Sequence, residues 1–335
     1  MDKRHRSSYL INLLVILVVY GILQTLIGTG IFNNYFKSII IFICINIIMA
    51  TSLNFSTGFL GQLVLGHAGF MAIGAYTAAT LGVLMHSVAG MPPIVTITVS
   101  IIAGGILAAL TGVAIGIPAL RLRGDYLAIM TLAFGEIVRI AINNLKFTGG
   151  AQGFTGIPRL MSFTYVYFAM VVCVAFLMLL SRSRHGRAII SIRENEIAAE
   201  SVGINSTRYK VTGLAISALV GGIGGGLFTF QMGFLQPTLF GFMRSVDILV
   251  IVVLGGMGSI TGSVIAAIVF TILPEALRDF NEYRMVAYAL LLIVMMILRP
   301  QGIFGTRELS ITKLLRRTRA KTKKIDTESL KGGDD

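Results

Sequence analysis

The segment Ile97–Pro118, ITVSIIAGGILAALTGVAIGIP, carries no charged residue in 22 positions. As a helix it would rise about 33 Å, enough to cross a hydrocarbon core of about 30 Å. Further apolar runs occupy Ile39–Ala50 and Met285–Leu298. Across the 335 residues, 55% are hydrophobic and 13% are charged, and the mean hydropathy is +0.83. A typical soluble domain has about 25% charged residues, so this chain has more apolar surface than one water-soluble core can hide. The pattern excludes a soluble globular enzyme and predicts an all-α polytopic membrane protein.

About ten spans are expected: near residues 9–32, 38–54, 66–89, 93–118, 126–144, 161–181, 211–235, 246–256 continuing into a broken region, 262–276 and 285–298. The basic segment Met1–Arg6 precedes an apolar run longer than a signal peptide and without a convincing small-residue cleavage site, so it reads as the start of a retained first span. The net charge of +13 would suggest nucleic acid in a soluble chain. Here 21 Lys and Arg fall on one side of the expected spans and six on the other, counting Arg244 among the six, while Arg139 lies within a span. The positive-inside rule then places both termini in the cytoplasm and requires an even number of spans. The basic excess is topological and gives no reason to expect a nucleic-acid partner. Cys44 and Cys173 sit within apolar runs without metal-ligand spacing and read as small hydrophobic residues.

Glycine contributes 38 residues, and the cluster Gly221-Gly222-x-Gly224-Gly225-Gly226 suits close helix packing where lipid supplies no hydrophobic drive. Two other stretches, Asn54–Gln62 and Gly255–Gly262, mix glycine with polar residues between apolar runs. They read either as broken or re-entrant helices or as tight cytoplasmic turns, and irregular backbone at membrane depth requires protein or water to satisfy it. Leu65-Gly66-x-x-Gly69 and Leu254-Gly255-x-x-Gly258 hint at an internal repeat.

Glu136 and Arg139 lie three apart within one span and can pair on one helical face. With Gln62 and His67 they form the candidate translocation path, because ionisable residues within a membrane are functional candidates. The competing readings are a structural ion pair and a packed histidine. Asp247, three residues after Arg244, suits the charge preference of a helix N-terminus. The sequence lacks a Gly-x-x-x-x-Gly-Lys-Ser/Thr nucleotide loop, a His-Glu-x-x-His zinc motif and a Gly-x-Ser-x-Gly nucleophile elbow. The chain is therefore expected to be non-catalytic, to carry no cofactor and to bind no ATP through that loop. The long inner loop 182–210 contains good helix formers up to Gly203, with acidic residues in the first turn, and is expected to present a short helix to a soluble partner.

Within that loop, Ala198-Ala199-x-x-x-Gly203 resembles the coupling motif of ABC-importer permeases, Glu-Ala-Ala followed by three variable residues and Gly. Ile197 stands where that motif has Glu, and Glu196 is one place earlier. Gly58-Phe59-Leu60-Gly61-Gln62-Leu63-x-Leu65-Gly66-His67-Ala68, Arg123-Gly124-Asp125-Tyr126-Leu127-Ala128-Ile129, Leu132-Ala133-Phe134-Gly135-Glu136, Thr148-Gly149-Gly150-x-x-Gly153, Arg193-Glu194-x-Glu196-Ile197-Ala198-Ala199-Glu200 and Arg299-Pro300-Gln301-Gly302 resemble the branched-chain amino-acid permease family of LivM type. The resemblance covers about Asn54 to Gly305.

It implies a type II ABC-importer-like permease in a bacterial inner membrane. The expected partners are two cytoplasmic ATPase subunits, which bind the ATP, a homologous permease subunit, an extracytoplasmic solute-binding protein and membrane lipid. Residues 1–312 would form the transmembrane permease domain, including the coupling loop 182–210, and residues 313–335 a basic cytoplasmic tail. Glu194, Glu196, Ala198, Ala199 and Gly203 would couple to an ATPase, and Thr148–Pro158 would be a candidate surface for the binding protein. Urea and short-chain amide permeases have a similar pattern, and an ion-coupled carrier using Glu136, Arg139 and His67 is the rival from another class.

Overall fold

The computed structural model describes residues 3–30, 32–119 and 124–277, together with 286, 289, 290, 293, 294, 297, 302, 303 and 305. The tail 313–335 and most of the expected last span lie outside the described residues. The helices are α1 (Lys3–Gly28), α2 (Asn34–Asn54), α3 (His67–Gly82), α4 (Pro93–Ala119), α5 (Asp125–Asn144), α6 (Phe163–Arg182), α7 (Arg184–Glu194), α8 (Glu196–Ser201), α9 (Ser206–Met232), α10 (Phe242–Gly255) and α11 (Ile260–Ala276). A helix therefore lies at each expected span up to residue 276. Six helical segments are long and apolar enough to cross a membrane, and two shorter apolar ones, Leu14–Gly28 and Ile260–Ala276, accompany them. The expected count of ten is thus met only roughly among the described residues. α5 falls outside the six; it contains Asp125, Glu136 and Arg139.

Residues 35–306 form one compact unit, and α1 is described by itself. At the centre of the unit, α9 packs against α3 and α4. The glycines of α9 make this approach close. A methyl group on Gly225 would lie 2.1 Å from the Met71 carbonyl oxygen, and one on Gly222 would lie 2.6 Å from the Ala108 Cβ. Gly74 of α3 meets Gly222 in the same way, and Gly104 of α4 meets Gly74. Three helices share one small-residue seam, as expected where packing alone drives association. Cys44 and Cys173 are free and buried.

The two glycine-rich polar stretches are breaks in helices and are enclosed by protein. α2 runs into a π-helical turn, Phe55–Phe59, before the chain leaves the helix, and Asn54 to Phe59 are all buried. The second break separates α10 from α11 at 256–259, where Ser259 is fully buried and its side chain accepts from the Gly262 amide at 3.1 Å. This favours broken helices over solvated turns. The two Leu-Gly-x-x-Gly matches occupy different places, since Gly66 precedes α3 whereas Gly255 ends α10.

A third irregularity, before α10, was not expected. After α9 the chain forms a short 3-10 turn, Pro237–Phe240, and α10 starts beside the middle of α5. Arg244 therefore differs from the sequence reading, which put it on the outer side. It bonds to Asn46, 12 residues into α2 and eight before its end. At 1.5 Å per residue this lies about 12 Å from the Asn54 end.

Candidate functional site

The broken helices expose backbone groups that must find partners, and neighbouring side chains provide them. At the second break, Asn54 accepts from the Gly258 amide at 2.8 Å, while its Nδ2 donates to the Ser259 carbonyl at 2.9 Å and to Ser263 Oγ at 2.8 Å. One buried amide thus ties the end of α2 to the α10–α11 break. At the start of α3, Ser245 Oγ of α10 accepts from the Ala68 amide at 3.0 Å, and Thr131 Oγ1 of α5 accepts from the Leu65 amide at 3.1 Å. At the start of α10, Glu136 Oε1 accepts from the Phe242 amide at 3.1 Å.

Glu136 also accepts from Arg139 Nε at 2.7 Å through its other oxygen. The expected ion pair is present, and the same carboxylate caps a half-helix from a neighbouring element. His67 is fully buried at the first residue of α3; its Nε2 lies 2.8 Å from Ser52 Oγ and its ring faces Gly221. Gln62 is buried in the loop between the π-helical turn and α3, with its backbone amide donating to the Ser56 carbonyl at 3.1 Å. The structure thus holds all four candidate path residues at the breaks and brings only Glu136 and Arg139 into direct contact.

The loop 182–210 folds as two short helices where one was expected. Ser183 caps α7 by accepting from the Gly186 amide, and Asn195 interrupts the helix in extended conformation and caps α8 by accepting from the Ala198 amide at 3.0 Å. The interruption therefore falls between Glu194 and Glu196. Gly203 has φ of +87°, a conformation costly for other residues, and the amides of Gly203 and Ile204 close the end of α8 on the carbonyls of Glu200 and Ala199. Glu196 pairs with Lys210 Nζ at 2.6 Å, Glu200 accepts from the Ser206 hydroxyl, and Glu194 pairs with Arg193. The first two bonds fasten α8 to the start of α9, and the third stays within α7. Ala199 faces inward and is buried.

α7 seats the loop on the bundle. Ile189 and Ile192 are buried, and Gly213 of α9 faces both Leu60 and Ile189. The next residue on that face, Arg193, sends Nη1 to the Gly58 carbonyl oxygen at 2.7 Å. Its side chain lies over Gly61, and Nη1 would be 3.0 Å from a methyl group placed on Gly258. Gly58 itself leaves no room for a side chain, because a Cβ would sit 1.9 Å from Asn54 Oδ1 and 2.2 Å from the Gly258 nitrogen. Loop, α2 break and α10–α11 break therefore converge on one point.

On the opposite side of the loop, Ile197 is 81% exposed and Val202 is 75% exposed. Two large apolar side chains displayed by one capped helix on a basic loop mark a surface that another protein can cover.

A family model described as "Branched-chain amino acid transport system / permease component" matches residues 35–298. The chain belongs to this family. The high-affinity branched-chain amino acid transport system permease protein LivM of Escherichia coli is 39% identical over 294 residues, covering 77% of this chain and 67% of that protein. A probable LivM permease of Methanocaldococcus jannaschii is 28% identical over 215 residues, covering 59% of this chain and 61% of its own length. The permease protein LivH of Salmonella typhimurium is 29% identical over 170 residues, covering 50% and 54%. No solved structure matches.

For this permease, sequence reasoning identified α8 and the two breaks but missed Arg193 and Asn54 as the residues that join them. A signal was present in each case. Asn54 begins the first glycine-rich stretch, and Arg193 begins the Arg-Glu-x-Glu-Ile-Ala-Ala run. What the sequence lacked was the pairing, since Asn54 and Gly258 are 204 residues apart.

Proposed function

We propose that this permease is the membrane-spanning subunit of an ATP-driven importer of branched-chain amino acids, set in a bacterial inner membrane with both termini in the cytoplasm. Its partners are ATPase subunits on the loop side, a homologous permease subunit beside it, and a solute-binding protein that delivers substrate from outside. The names of its relatives support the substrate class. The observation that carries the coupling role is the exposed pair Ile197 and Val202 on a helix whose neighbour, α7, bonds through Arg193 to the α2 break.

In this reading α8 docks on an ATPase, with Ile197 occupying the position that the coupling motif gives to Glu. Glu194, Glu196, Ala198, Ala199 and Gly203 shape the dock. Glu196 and Glu200 brace α8 against α9, buried Ala199 lets it lie close, and Gly203 ends it. When the ATPases close, α8 moves as a rigid body, and Arg193 conveys the displacement to the Gly58 carbonyl and the adjacent break. Glu136, held by Arg139, keeps the start of α10 capped while the breaks shift, and Gln62 and His67 stand beside the candidate translocation path at the start of α3. On the outer side, Thr148–Pro158 is anchored to the end of α9 by a paired Phe154 and Leu235 and offers the surface for the binding protein.

The test is ATP-dependent leucine uptake into proteoliposomes that contain the permease with and without its ATPase subunits. Uptake is expected only with ATPase, inside ATP and an intact loop; uptake that persists without any ATPase subunit contradicts the proposal. Replacing Ile197 with Asp should weaken ATPase docking about tenfold or more, the scale of losing one anchor residue, as read by co-purification and binding isotherms.

A further inference from the structure

Arg244 and Asp247 stand apart from the other charged residues of the bundle. Both lie on α10 inside a segment long and apolar enough to cross a membrane, and both are half-buried. Three helices locate their depth. Arg244 Nη2 donates to Asn46 Oδ1 at 2.8 Å, and Asn46 Nδ2 donates to Thr271 Oγ1 at 2.9 Å. Asn46 lies about 12 Å along α2 from its Asn54 end, and Thr271 about 16 Å along α11 from Ile260. Both ends belong to the same break cluster, so this polar group lies near the membrane midplane.

The spacing of Arg244 and Asp247 equals that of Glu136 and Arg139, with the outcome reversed. Glu136 and Arg139 close into an ion pair at 2.7 Å. Arg244 and Asp247 form no ion pair within 4.0 Å among the described residues, and the order of base before acid is the less favourable one along a helix. Arg244 spends one of its five N–H donors on a neutral amide. Asp247 has no hydrogen-bond partner among the described residues; the Arg244 charge is near enough to act on it without closing an ion pair. Asn46 and Thr271 beside them are also half-buried. Asn46 and Thr271 are satisfied by one another and by Arg244 and the Ala267 carbonyl, which leaves Arg244 and Asp247 as the charges with unmade bonds; charges at this depth cannot face lipid, and residues of this kind mark substrate pathways.

We propose that Arg244 and Asp247, with Asn46 and Thr271, form a transit site for the charged end of an α-amino acid: the guanidinium takes the carboxylate and the aspartate takes the ammonium. Side chains three apart on a helix stand about 5–6 Å apart at Cβ, a gap that a zwitterion's two adjacent charged groups can bridge. An uncharged solute such as urea can hydrogen-bond to this pair but brings no charge to either group, so a zwitterion is held more strongly. The site rests on the importer reading above and narrows its substrate to zwitterions.

The test uses the assembled transporter in proteoliposomes, with Asn46→Cys labelled by a membrane-impermeant, anionic thiosulfonate; the buried Cys44 and Cys173 of the unsubstituted chain give the background. Labelling is expected, and leucine should slow it about five-fold at roughly four times its Kd, whereas 3-methylbutanol, the same branched chain without charges, should not. Arg244→Gln and Asp247→Asn should each remove the protection and leave the labelling. If Asn46→Cys fails to assemble, Thr271→Cys serves in its place. No labelling in resting or ATP-cycling complex, or labelling that leucine does not slow, overturns the site. Leucine uptake by the unsubstituted complex is measured in parallel: uptake without protection sinks the site alone, and absent uptake sinks the importer reading itself.

Discussion

Gly58 shows how much can depend on a missing side chain. Its carbonyl accepts from Arg193, and its Cα lies so close to Asn54 and to the Gly258 backbone that no Cβ fits. Gly58→Ala should therefore destabilise the permease by about 1–3 kcal/mol, the cost of overpacking a closed site, and lower its melting temperature in detergent. Gly21, which has open space around it, should tolerate Ala in the same assay. The sequence showed Gly58 as part of a polar, glycine-rich interruption but could not show that its neighbours would be Gly258 and Arg193. His67 illustrates the other side of this limit. Histidine in an apolar run admits both a relay and a packing role, and it was the burial against Ser52 and Gly221 that placed it within the packed interior.

At the scale of elements, the breaks are held by side chains reaching from other helices. Glu136 is the clearest case, because one carboxylate both pairs with Arg139 and caps α10. Glu136→Gln keeps an acceptor for the Phe242 amide, while Glu136→Leu leaves both the amide and the arginine without it. Leu should thus destabilise more than Gln, by roughly 1–3 kcal/mol for the group left unsatisfied, measured as the difference in thermal melting between the two variants. Equal effects would mean that the cap contributes nothing. The apolar helices such as α2, α3, α4, α6 and α11 were legible because long runs with few charges leave few alternatives, and α8 was legible from its glycine stop. The interruption at Asn195 was not, because helix formers surround it and the capping role of its side chain is a local competition that composition does not resolve. The start of α10 beside the middle of α5 was hidden for a related reason: it depends on Glu136, 106 residues away.

At the scale of the whole molecule, the loop and the breaks meet through hydrogen bonds, and the proposed mechanical route runs along them. α8 presents Ile197 outward, α7 buries Ile189 and Ile192 against the bundle, and Arg193 bonds to the break where α2 meets the α10–α11 turn. Family membership explains why such a route should exist, and the geometry gives it a specific residue. The direct measurement is leucine uptake and ATP hydrolysis, taken together in proteoliposomes, for the complex carrying Arg193→Leu. If Arg193 conveys the work of the ATPases, hydrolysis continues while uptake per ATP falls by about tenfold or more, the equivalent of losing a charge-assisted hydrogen bond of roughly 1.5–3 kcal/mol. Uptake and hydrolysis that both match the unsubstituted complex would contradict this route.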